Sequence, residues 1–223
     1  MYKYNKDKPS CKDVFNAFMV ENANYAGNLE IPILDTCNEI PKDLVCFSKI
    51  NQSTDYKSWI HFYEHDYVIE RIWKNPRKYL PIIKKFSGII TPDFSLYRDM
   101  PLAMQINNVL RSRMVGRWMQ DNGVHVIPNI RFGDRRTYRL SCLGVSKHST
   151  IAVGTHGTLR SIVDRKIMEE GIEWVLNYIH PNALIIYGSA TDKMIESCSR
   201  IQTKLLVFKS DFHRSHLRNK EVR

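Results

Sequence analysis

Residues 182–210 read NALIIYGSATDKMIESCSRIQTKLLVFKS, and this stretch decides the fold class. The apolar runs at 182–190 and 204–210 predict two short strands, and residues 192–201 between them predict a helix. A strand, a helix and a second strand in this order form a crossover connection, which joins parallel strands. This part of the chain therefore predicts a parallel α/β sheet.

The same alternation extends from this stretch towards the N-terminus. Pro101 suits the first turn of a helix, and Asn122 with Gly123 marks its end. Further strands are predicted at 87–95, 124–132 and 149–157, and further helices at 101–123 and 161–180. Because no linker or repeat divides the chain, we predict a single α/β domain with a mainly parallel sheet, as a complete or abbreviated TIM-like barrel.

The residues before this alternating part predict less regular secondary structure. Short strands at 31–35 and 43–50 precede the segment 56–86, which is rich in aromatic and basic residues and has mixed helical spacing. Pro76 and Pro81 interrupt that spacing. The single domain of residues 1–223 then has four parts: an N-terminal segment with the first strands (1–55), an aromatic and basic helical segment (56–86), strand–helix repeats (87–210) and a basic tail (211–223).

Cysteine and histidine form no diagnostic metal-site pattern. The five cysteines are widely spaced without a C-x-x-C pair, which argues against a zinc site and a disulfide framework and favours buried thiols. His61 and His65 are spaced i, i+4, but Glu64 does not fit the H-E-x-x-H pattern, so we interpret both as surface or interface histidines. The chain also lacks the glycine-rich motifs of ATPases and nicotinamide enzymes, and we expect neither cofactor nor metal.

The charge of the chain predicts a polyanionic partner. Lys and Arg number 33 against 23 Asp and Glu, for a formal net charge of +10. The excess is concentrated at 111–117, 134–139 and 212–223, and phosphate contacts depend on such residues. DNA is favoured over RNA as the partner, and the oligomeric state is left open. The residues predicted to contact nucleic acid are Arg111, Arg113, Arg117, Arg135, Arg136, Arg139, Arg160, Lys209, Arg214 and Arg218.

No membrane partner is expected. No stretch approaches the roughly 18–20 apolar residues of a membrane span. The polar N-terminus lacks the apolar core of a signal peptide. We therefore expect a cytoplasmic protein.

Polar residues follow each strand of the alternating part. In parallel α/β folds the functional groups lie at the carboxyl ends of the strands, so these sets are expected to share one rim. The sets, in chain order, are Asp93, Ser95 and Tyr97; Asn129, Arg131 and Asp134; Thr155 and His156; Tyr187, Gly188 and Ser189; and Lys209, Ser210 and Asp211.

Three of these residues are candidate catalytic groups. Asp93 follows Pro92 in a fixed direction and would stabilise positive charge on a sugar during cleavage of an N-glycosidic bond, or it only caps the turn or pairs with Arg98. Asp134 is a second carboxylate, or only organises the arginines around it. His156 lies between Gly154 and Gly157, which let the backbone come close to a ligand. It would exchange a proton with a leaving base, or is a plain surface residue.

Seven further residues at or near this rim are candidates for substrate binding. Arg98 would clamp a phosphate, or pairs with a neighbouring aspartate. Tyr97 and Tyr187, together with Phe94, would stack on an extruded base. The other predicted substrate-binding residues are Ser95, Asn129, Arg131 and Ser189.

Four sequence blocks resemble a family of bacterial and phage proteins catalogued as domain of unknown function 4417. The blocks are TPDFSLYRDMPLAMQI (91–106), GRWMQDNGVHVIP (116–128), GVSKHSTIAVGTHG (144–157) and ALIIYGSA (183–190), within a likeness over about residues 75–190. The strand–helix layout is also similar to transglycosylase-type barrels, which cleave base–sugar bonds with an aspartate, and to phage-defence glycosylases that excise modified bases.

The family resemblance implies no activity, but the likeness to base-cleaving barrels and phage-defence glycosylases implies a DNA glycosylase-like enzyme that removes a base, in particular a modified one, without cofactor or metal. A second hypothesis is a replication accessory of phage or plasmid origin that binds nucleic acid and catalyses nothing. A third is a nuclease in which Asp93, Asp134 and His156 hold Mg²⁺ or Mn²⁺.

Overall fold

The computed structural model describes residues 13–210, in which strands and helices alternate. The strands are β1 (Tyr25–Ala26), β2 (Ile31–Pro32), β3 (Leu44–Cys46), β4 (Trp59–His61), β5 (Gly88–Ile90), β6 (Val126–Ile127), β7 (Thr150–Gly154), β8 (Ala183–Tyr187) and β9 (Lys204–Phe208). The α-helices are α1 (Asp66–Lys74), α2 (Pro76–Ile83), α3 (Leu102–Asp121), α4 (Tyr138–Cys142), α5 (Ile162–Ile179) and α6 (Asp192–Arg200).

Seven of the strands are parallel and follow one another in chain order. β3 to β6 form one parallel sheet and β7 to β9 a second, while β1 and β2 form a separate antiparallel pair. A parallel bridge between Asn129 and Ala152 links the two larger sheets. There the Ile130 amide donates to the Ala152 carbonyl at 2.8 Å, and the Ala152 amide donates to the Pro128 carbonyl at 3.0 Å. The predicted α/β class with a parallel sheet is confirmed.

Alternate residues of the strands face two different cores. Ile60, Ile89 and Val126 pack against α1, α2 and α3, and the corresponding residues of β7 and β8 pack against α5 and α6. The opposite face contributes to a third cluster, which has members from every strand from β3 to β9: Leu44, Trp59, Ile90, Ile127, Ala152, Ile185, Tyr187, Leu206 and Phe208. Burial on both faces explains why these strands read as continuous apolar runs.

The sheet does not close among residues 13–210. β3 and β9 lie at its two ends and are not paired with each other. A closed TIM-like barrel is therefore not confirmed. Along β9 no residue is fully buried, as expected for an edge strand.

The first third of the chain differs from the prediction. The strand predicted at 43–50 ends at Cys46, and the segment 56–86 contains a strand, β4, before its two helices. β4 has three residues, all buried, and so shows neither helical nor alternating periodicity. As the last residue of β4, His61 is buried, which corrects its interpretation as a surface residue, whereas His65, just before α1, is exposed.

Two further properties concern the described residues alone. The four cysteines among them, Cys37, Cys46, Cys142 and Cys198, are all buried and unoxidised. No helix between residues 13 and 210 is both long and apolar enough to cross a bilayer.

Candidate functional site

A cleft of about 660 Å³ lies at the carboxyl ends of the parallel strands. Residues from β3, β4, β7 and β8, or from the loops that follow β5, β6 and β9, contribute to its wall. The lining includes Cys46, Lys49, His61, Tyr63, Asp66, Tyr67, Asp93, Ser95, Tyr97, Arg131, Gly154, His156, Tyr187 and Ser210. The cleft therefore brings together predicted residues from five different strand ends.

Asp93 is one of the carboxylates that line this cleft, and both of its oxygens have partners. The Asn129 side-chain amide donates to Oδ1 at 2.6 Å, and Arg131 Nη1 lies 3.3 Å from Oδ2. Only 11% of the Asp93 side chain is exposed. The carboxylate is thus held in one orientation at the base of the cleft.

Tyr63 sets the orientation of Asn129. Its hydroxyl donates to Asn129 Oδ1 at 3.0 Å, so the amide nitrogen of Asn129 faces Asp93. Burial raises the pKa of the Tyr63 phenol well above its ordinary value, with a further rise from Asp93. Tyr63 consequently remains a proton donor at neutral pH, and the chain of hydrogen bonds runs in one direction towards the carboxylate.

Burial also raises the pKa of the Asp93 carboxyl above its ordinary value. Arg131 and the Asn129 hydrogen bond oppose this rise, and the charge of Asp66 adds to it. A carboxylate made more basic by desolvation can accept a proton from water or share charge with a developing cation. Perturbed carboxyls in clefts are typical of catalytic sites.

The backbone that presents Asn129 and Arg131 is held by α3 and α4. Arg113 is buried in α3 and donates to the carbonyls of Asn129 at 3.0 Å, Ser141 at 2.6 Å and Leu143 at 3.1 Å. The Ser141 hydroxyl donates to the Arg131 carbonyl. These contacts fix the strand extension after β6, and through it the two partners of Asp93.

Aromatic rings form the wall beside Asp93. Tyr63 and Tyr187 stack with ring centroids 4.7 Å apart, and His61 packs against Tyr187 at 4.4 Å. Because Tyr187 is buried in this packing, its predicted stacking on a base is not what the structure favours. Phe94 is buried, and the Arg111 guanidinium lies 4.0 Å from its ring centroid. The Phe94 ring is therefore not available for stacking on a base either. Tyr97 is half exposed at the cleft mouth and retains a ring face for a ligand.

Gly154 provides the space that this arrangement needs. A Cβ at this position would lie 2.7 Å from the Tyr63 ring and 3.6 Å from Asp93 Oδ2. We expect Gly154→Ala to displace Tyr63 and, for the reaction proposed in the next subsection, to lower turnover by about 10- to 100-fold, since small misplacements are costly in catalysis. Overpacking of this size costs about 1–3 kcal/mol of unfolding free energy. Steady-state kinetics and thermal melting would measure both effects, and unchanged kinetics would show that Tyr63 does not position the site.

Asp134 lies outside this arrangement. Its side chain caps the short 3₁₀ helix Arg135–Thr137 and binds Arg136, with 2.7 Å between Oδ2 and Nη2. The Arg136 hydrogen bond lowers the pKa of the Asp134 carboxyl. The structure therefore gives Asp134 the role of organising an arginine, and the prediction of a second catalytic carboxylate is not supported.

Arg98 pairs with Asp164 and not with Asp93 or Asp99, the two neighbouring aspartates that the sequence offered as partners. Its Nη2 lies 3.2 Å from Asp164 Oδ1, and it lines a second cavity of about 680 Å³ beside the cleft. His156 is exposed and lines both cavities. Ser189 lines a third cavity, and its backbone amide is held by the Thr155 hydroxyl at 3.0 Å. The roles of these residues remain predictions.

Three arginines of α3 are not available to nucleic acid. Arg113 is 1% exposed and fully engaged by carbonyls, so its predicted role is wrong. Arg111 pairs with Glu70 and packs on two rings, and Arg117 pairs with Asp35 and Asp121. The helix turns these charges inwards, towards carboxylates and carbonyls of other segments, which the sequence clusters do not reveal.

The other predicted nucleic-acid contacts divide into three groups. Arg135 and Arg136 are exposed but paired with Glu170 and Asp134. Arg139, Arg160 and Lys209 are exposed, and their contacts remain predictions. Arg214 and Arg218, with Asp211 and the basic tail, lie outside the described residues.

The metal-site alternative receives no support from the side chains between residues 13 and 210. No group of three or more His, Cys, Asp or Glu among them is arranged to hold a metal ion. Asp134 is committed to Arg136, and Asp93 to Asn129 and Arg131.

Sequence reasoning missed the β4 contribution to the site. His61 ends β4, and Tyr63 follows that strand, which was read as part of a helical segment. The available signal was the apolar group Trp59, Ile60 and Phe62, followed by the polar residues 63–66, as at the other strand ends. Gly154 was passed over because the need for a small residue depends on Tyr63.

Residues 23–207 match the profile of a family described as a domain of unknown function, DUF4417. This range is most of the chain and contains Asp93 together with Tyr63, Asn129 and Arg131. The chain belongs to this family. The DUF4417 match begins well before the likeness at about residues 75–190, so it also includes β3 and β4, which supply Tyr63.

Two phage proteins are similar to this DUF4417 chain. The Gene 1 protein of Mycobacterium phage D29 is 31% identical over 189 residues, which cover 83% of this chain and 69% of the relative. The Gene 1 protein of Mycobacterium phage L5 is 31% identical over 185 residues, which cover 81% of this chain and 80% of the relative. No solved structure matches the chain.

Proposed function

We propose that this protein hydrolyses the N-glycosidic bond of a base in DNA, with Asp93 as the catalytic carboxylate. The observation that carries the proposal is the buried carboxylate at the base of a strand-end cleft, oriented by Asn129 and Arg131. Cleavage of this bond develops positive charge on the sugar, and a fixed carboxylate stabilises that charge or directs a water to it. Burial strengthens the effect because the cleft wall screens less than water.

The cleft has dimensions and side chains suited to one nucleotide. Its volume of about 660 Å³ lies within the range of small-molecule sites. Tyr97 and Tyr67 present exposed rings at the mouth, on which a base extruded from the stack can rest. Arg131 faces both the cleft and the adjoining cavity, so it is placed to attract a phosphate on that side.

We further infer that the seven parallel strands curl into an abbreviated barrel around this cleft. Strands lie about 4.8 Å apart, so the edges of a flat seven-strand sheet would be about 29 Å apart. Cys46 at the end of β3 and Ser210 after β9 nevertheless line the same cleft. A curl brings the two edge strands towards each other and supports a site in the manner of parallel barrels.

The phage relatives suggest the setting in which this protein would encounter its substrate. Both Gene 1 proteins are phage proteins, and phage infection places foreign and modified DNA in the host cytoplasm. We propose that a modified base is the preferred substrate and that its removal acts in defence against phage DNA.

Incubation with DNA in the presence of EDTA tests this function. Ordinary DNA and phage DNA with modified bases would be treated and assayed for abasic sites. Abasic sites formed in EDTA would support the proposal. Strand breaks that need added Mg²⁺ or Mn²⁺ would replace it with a nuclease, and binding with no product from either DNA would favour the accessory protein.

The pH dependence of base release should report on Asp93. If the ionised carboxylate is the active form, the acid limb of kcat/KM lies above the ordinary range of an aspartate, because burial raises its pKa. Arg131 lowers that pKa, so Arg131→Gln should move the acid limb to higher pH. Arg135→Gln, which removes an exposed cation paired with Glu170, is the matched control. An acid limb that moves to lower pH or stays in place in Arg131→Gln would contradict the assignment.

A further inference from the structure

Helices α1 and α2 and the residues just after them present a dense set of cations, which we name the α1–α2 tract. Its members are all exposed, and none forms an ion pair with any residue between 13 and 210. They are Arg71, Lys74, Arg77, Lys78, Lys84 and Lys85. Six such charges within fifteen residues leave this surface strongly positive.

The tract contrasts with several paired arginines elsewhere in the described structure, although Arg139 and Arg160 are exposed as well. Arg98, Arg135 and Arg200 each pair with a carboxylate, and so does Arg117 in α3. The acidic residues of α1 are also directed elsewhere. Asp66 accepts from the Ser95 amide at 3.1 Å, and Glu70 pairs with Arg111.

Several of these cations are positioned by aromatic rings instead of carboxylates. The Arg77 guanidinium lies 3.9 Å from the ring centroid of Phe18, and the Arg71 guanidinium 5.3 Å from that of Phe47. Lys85 Nζ lies 5.7 Å from the ring centroid of Tyr56. A ring orients a cation without cancelling its charge, so these side chains keep their full attraction for phosphate.

The tract begins at the edge of the Asp93 cleft. Asp66, Tyr67 and Val68, in the first turn of α1, line the cleft. Arg71 and Lys74 follow Tyr67 at i+4 and i+7, on the same face of the helix. The Tyr67 side chain is 77% exposed and gives a base a flat surface beside the first cation.

We propose that the α1–α2 tract binds the phosphates of the nucleic-acid strand that flanks the nucleotide in the cleft. The identity of the strand rests on the proposed function, whereas the location rests on the unpaired charges. Tyr67 is the one largely exposed hydrophobic side chain of α1 and α2, so a membrane, which needs inserted apolar groups, fits this surface less well. The tract takes the place of the α3 arginines as the phosphate-contacting surface.

The test measures binding of a labelled single-stranded oligonucleotide to full-length protein carrying Asp93→Asn, so that no turnover intervenes. One variant combines Arg71→Gln, Lys74→Gln and Lys78→Gln, and its matched control combines Lys166→Gln, Lys193→Gln and Arg200→Gln, which are exposed and outside the predicted nucleic-acid contacts. Each removes three charges from the formal net charge of +10. Circular dichroism would verify that both variants keep the helical content of the parent.

We expect the tract variant to bind at least about tenfold more weakly, and the control to stay within about twofold of the parent. The slope of log affinity against log salt should decrease by about 2 in the tract variant, since each phosphate contact contributes about 0.7. Equal weakening of the two variants, or of neither, would overturn the proposal. Tighter binding to phosphatidylserine vesicles than to the oligonucleotide, lost in the tract variant, would overturn the nucleic-acid assignment.

This outcome is separable from that of the proposed function. Base release is measured on the protein with Asp93 intact, whereas strand binding is measured without turnover. Loss of binding in the tract variant supports the tract even if the wild-type protein releases no base, and that second result rejects only the glycosidic reaction.

Discussion

Asp93→Asn is expected to reduce base release by at least about a thousandfold, a loss typical of removing a charge that acts in the transition state. The substitution keeps the size of the side chain and an oxygen for the Asn129 amide, but it removes the negative charge beneath the sugar. Binding of substrate should change much less than turnover, because the lost interaction develops only as the bond breaks. Single-turnover measurement of base release separates the change in substrate binding from the change in turnover.

The same substitution should leave the fold intact and should change how the stability of the protein depends on pH. Burial raises the Asp93 pKa in the folded state, so the folded protein holds this proton more tightly than the unfolded chain. Wild-type stability therefore decreases as the pH rises from the ordinary aspartate range through the raised pKa. Asp93→Asn lacks this decrease, so its melting temperature at neutral pH should equal or exceed that of the wild type.

Glu196→Gln is the matched control for this experiment. Glu196 is an exposed carboxylate on α6, away from the cleft, and its conversion to an amide should affect neither base release nor melting. Collapse of folding in Asp93→Asn would assign Asp93 a structural role. Retained base release in a well-folded Asp93→Asn protein would exclude it as the catalytic carboxylate.

Arg113→Met is expected to have the largest effect on stability. Arg113 is buried, and its three donors satisfy the carbonyls of Asn129, Ser141 and Leu143. Methionine fills much of the volume of the arginine side chain but leaves these carbonyls without that donor. Each unsatisfied carbonyl costs about 1–3 kcal/mol, and we expect the free energy of unfolding to decrease by about 3–5 kcal/mol in total. For a domain of this size that corresponds to a melting temperature lower by about 10 °C.

The surface arginine Arg139 provides the comparison for Arg113. Arg139→Met removes the same group from an exposed position on α4 and should change the unfolding free energy by less than about 0.5 kcal/mol. Arg113→Lys should lie between the two, because one ammonium group cannot reach three carbonyls in a planar arrangement. Equal melting of Arg113→Met and Arg139→Met would show that the buried hydrogen bonds do not hold the strand extension after β6.

The alternating part of the fold could be predicted because its signals are local. From residue 87 onwards each strand is a short apolar run and each long helix has an identifiable end, so periodicity was sufficient. The rule that functional groups gather at the carboxyl ends of parallel strands then placed Asp93, Asn129 and Arg131 at one rim. Their mutual contacts follow from neighbouring positions in the sheet.

The parts that could not be predicted depend on long-range contacts. β4 is stabilised by its neighbours on both sides, not by its own three residues, and so Tyr63 was not recognised as part of the site. Arg113 looks like a surface charge in the sequence, and only the carbonyls at 129, 141 and 143 explain why it is buried. Net charge likewise predicted a polyanionic partner without indicating that six exposed cations lie together on α1, α2 and the residues just after them.

The most direct test of the central proposal is the mass of the small molecule released from DNA by the wild-type protein in EDTA. Phage DNA with modified bases would be treated, the polymer removed by filtration and the filtrate analysed by mass spectrometry. The account predicts a free nucleobase in the filtrate, with an abasic site left in the DNA for each base released. Nucleotides or nucleosides in place of the free base would contradict it, because a phosphodiester or other bond would then have been cut.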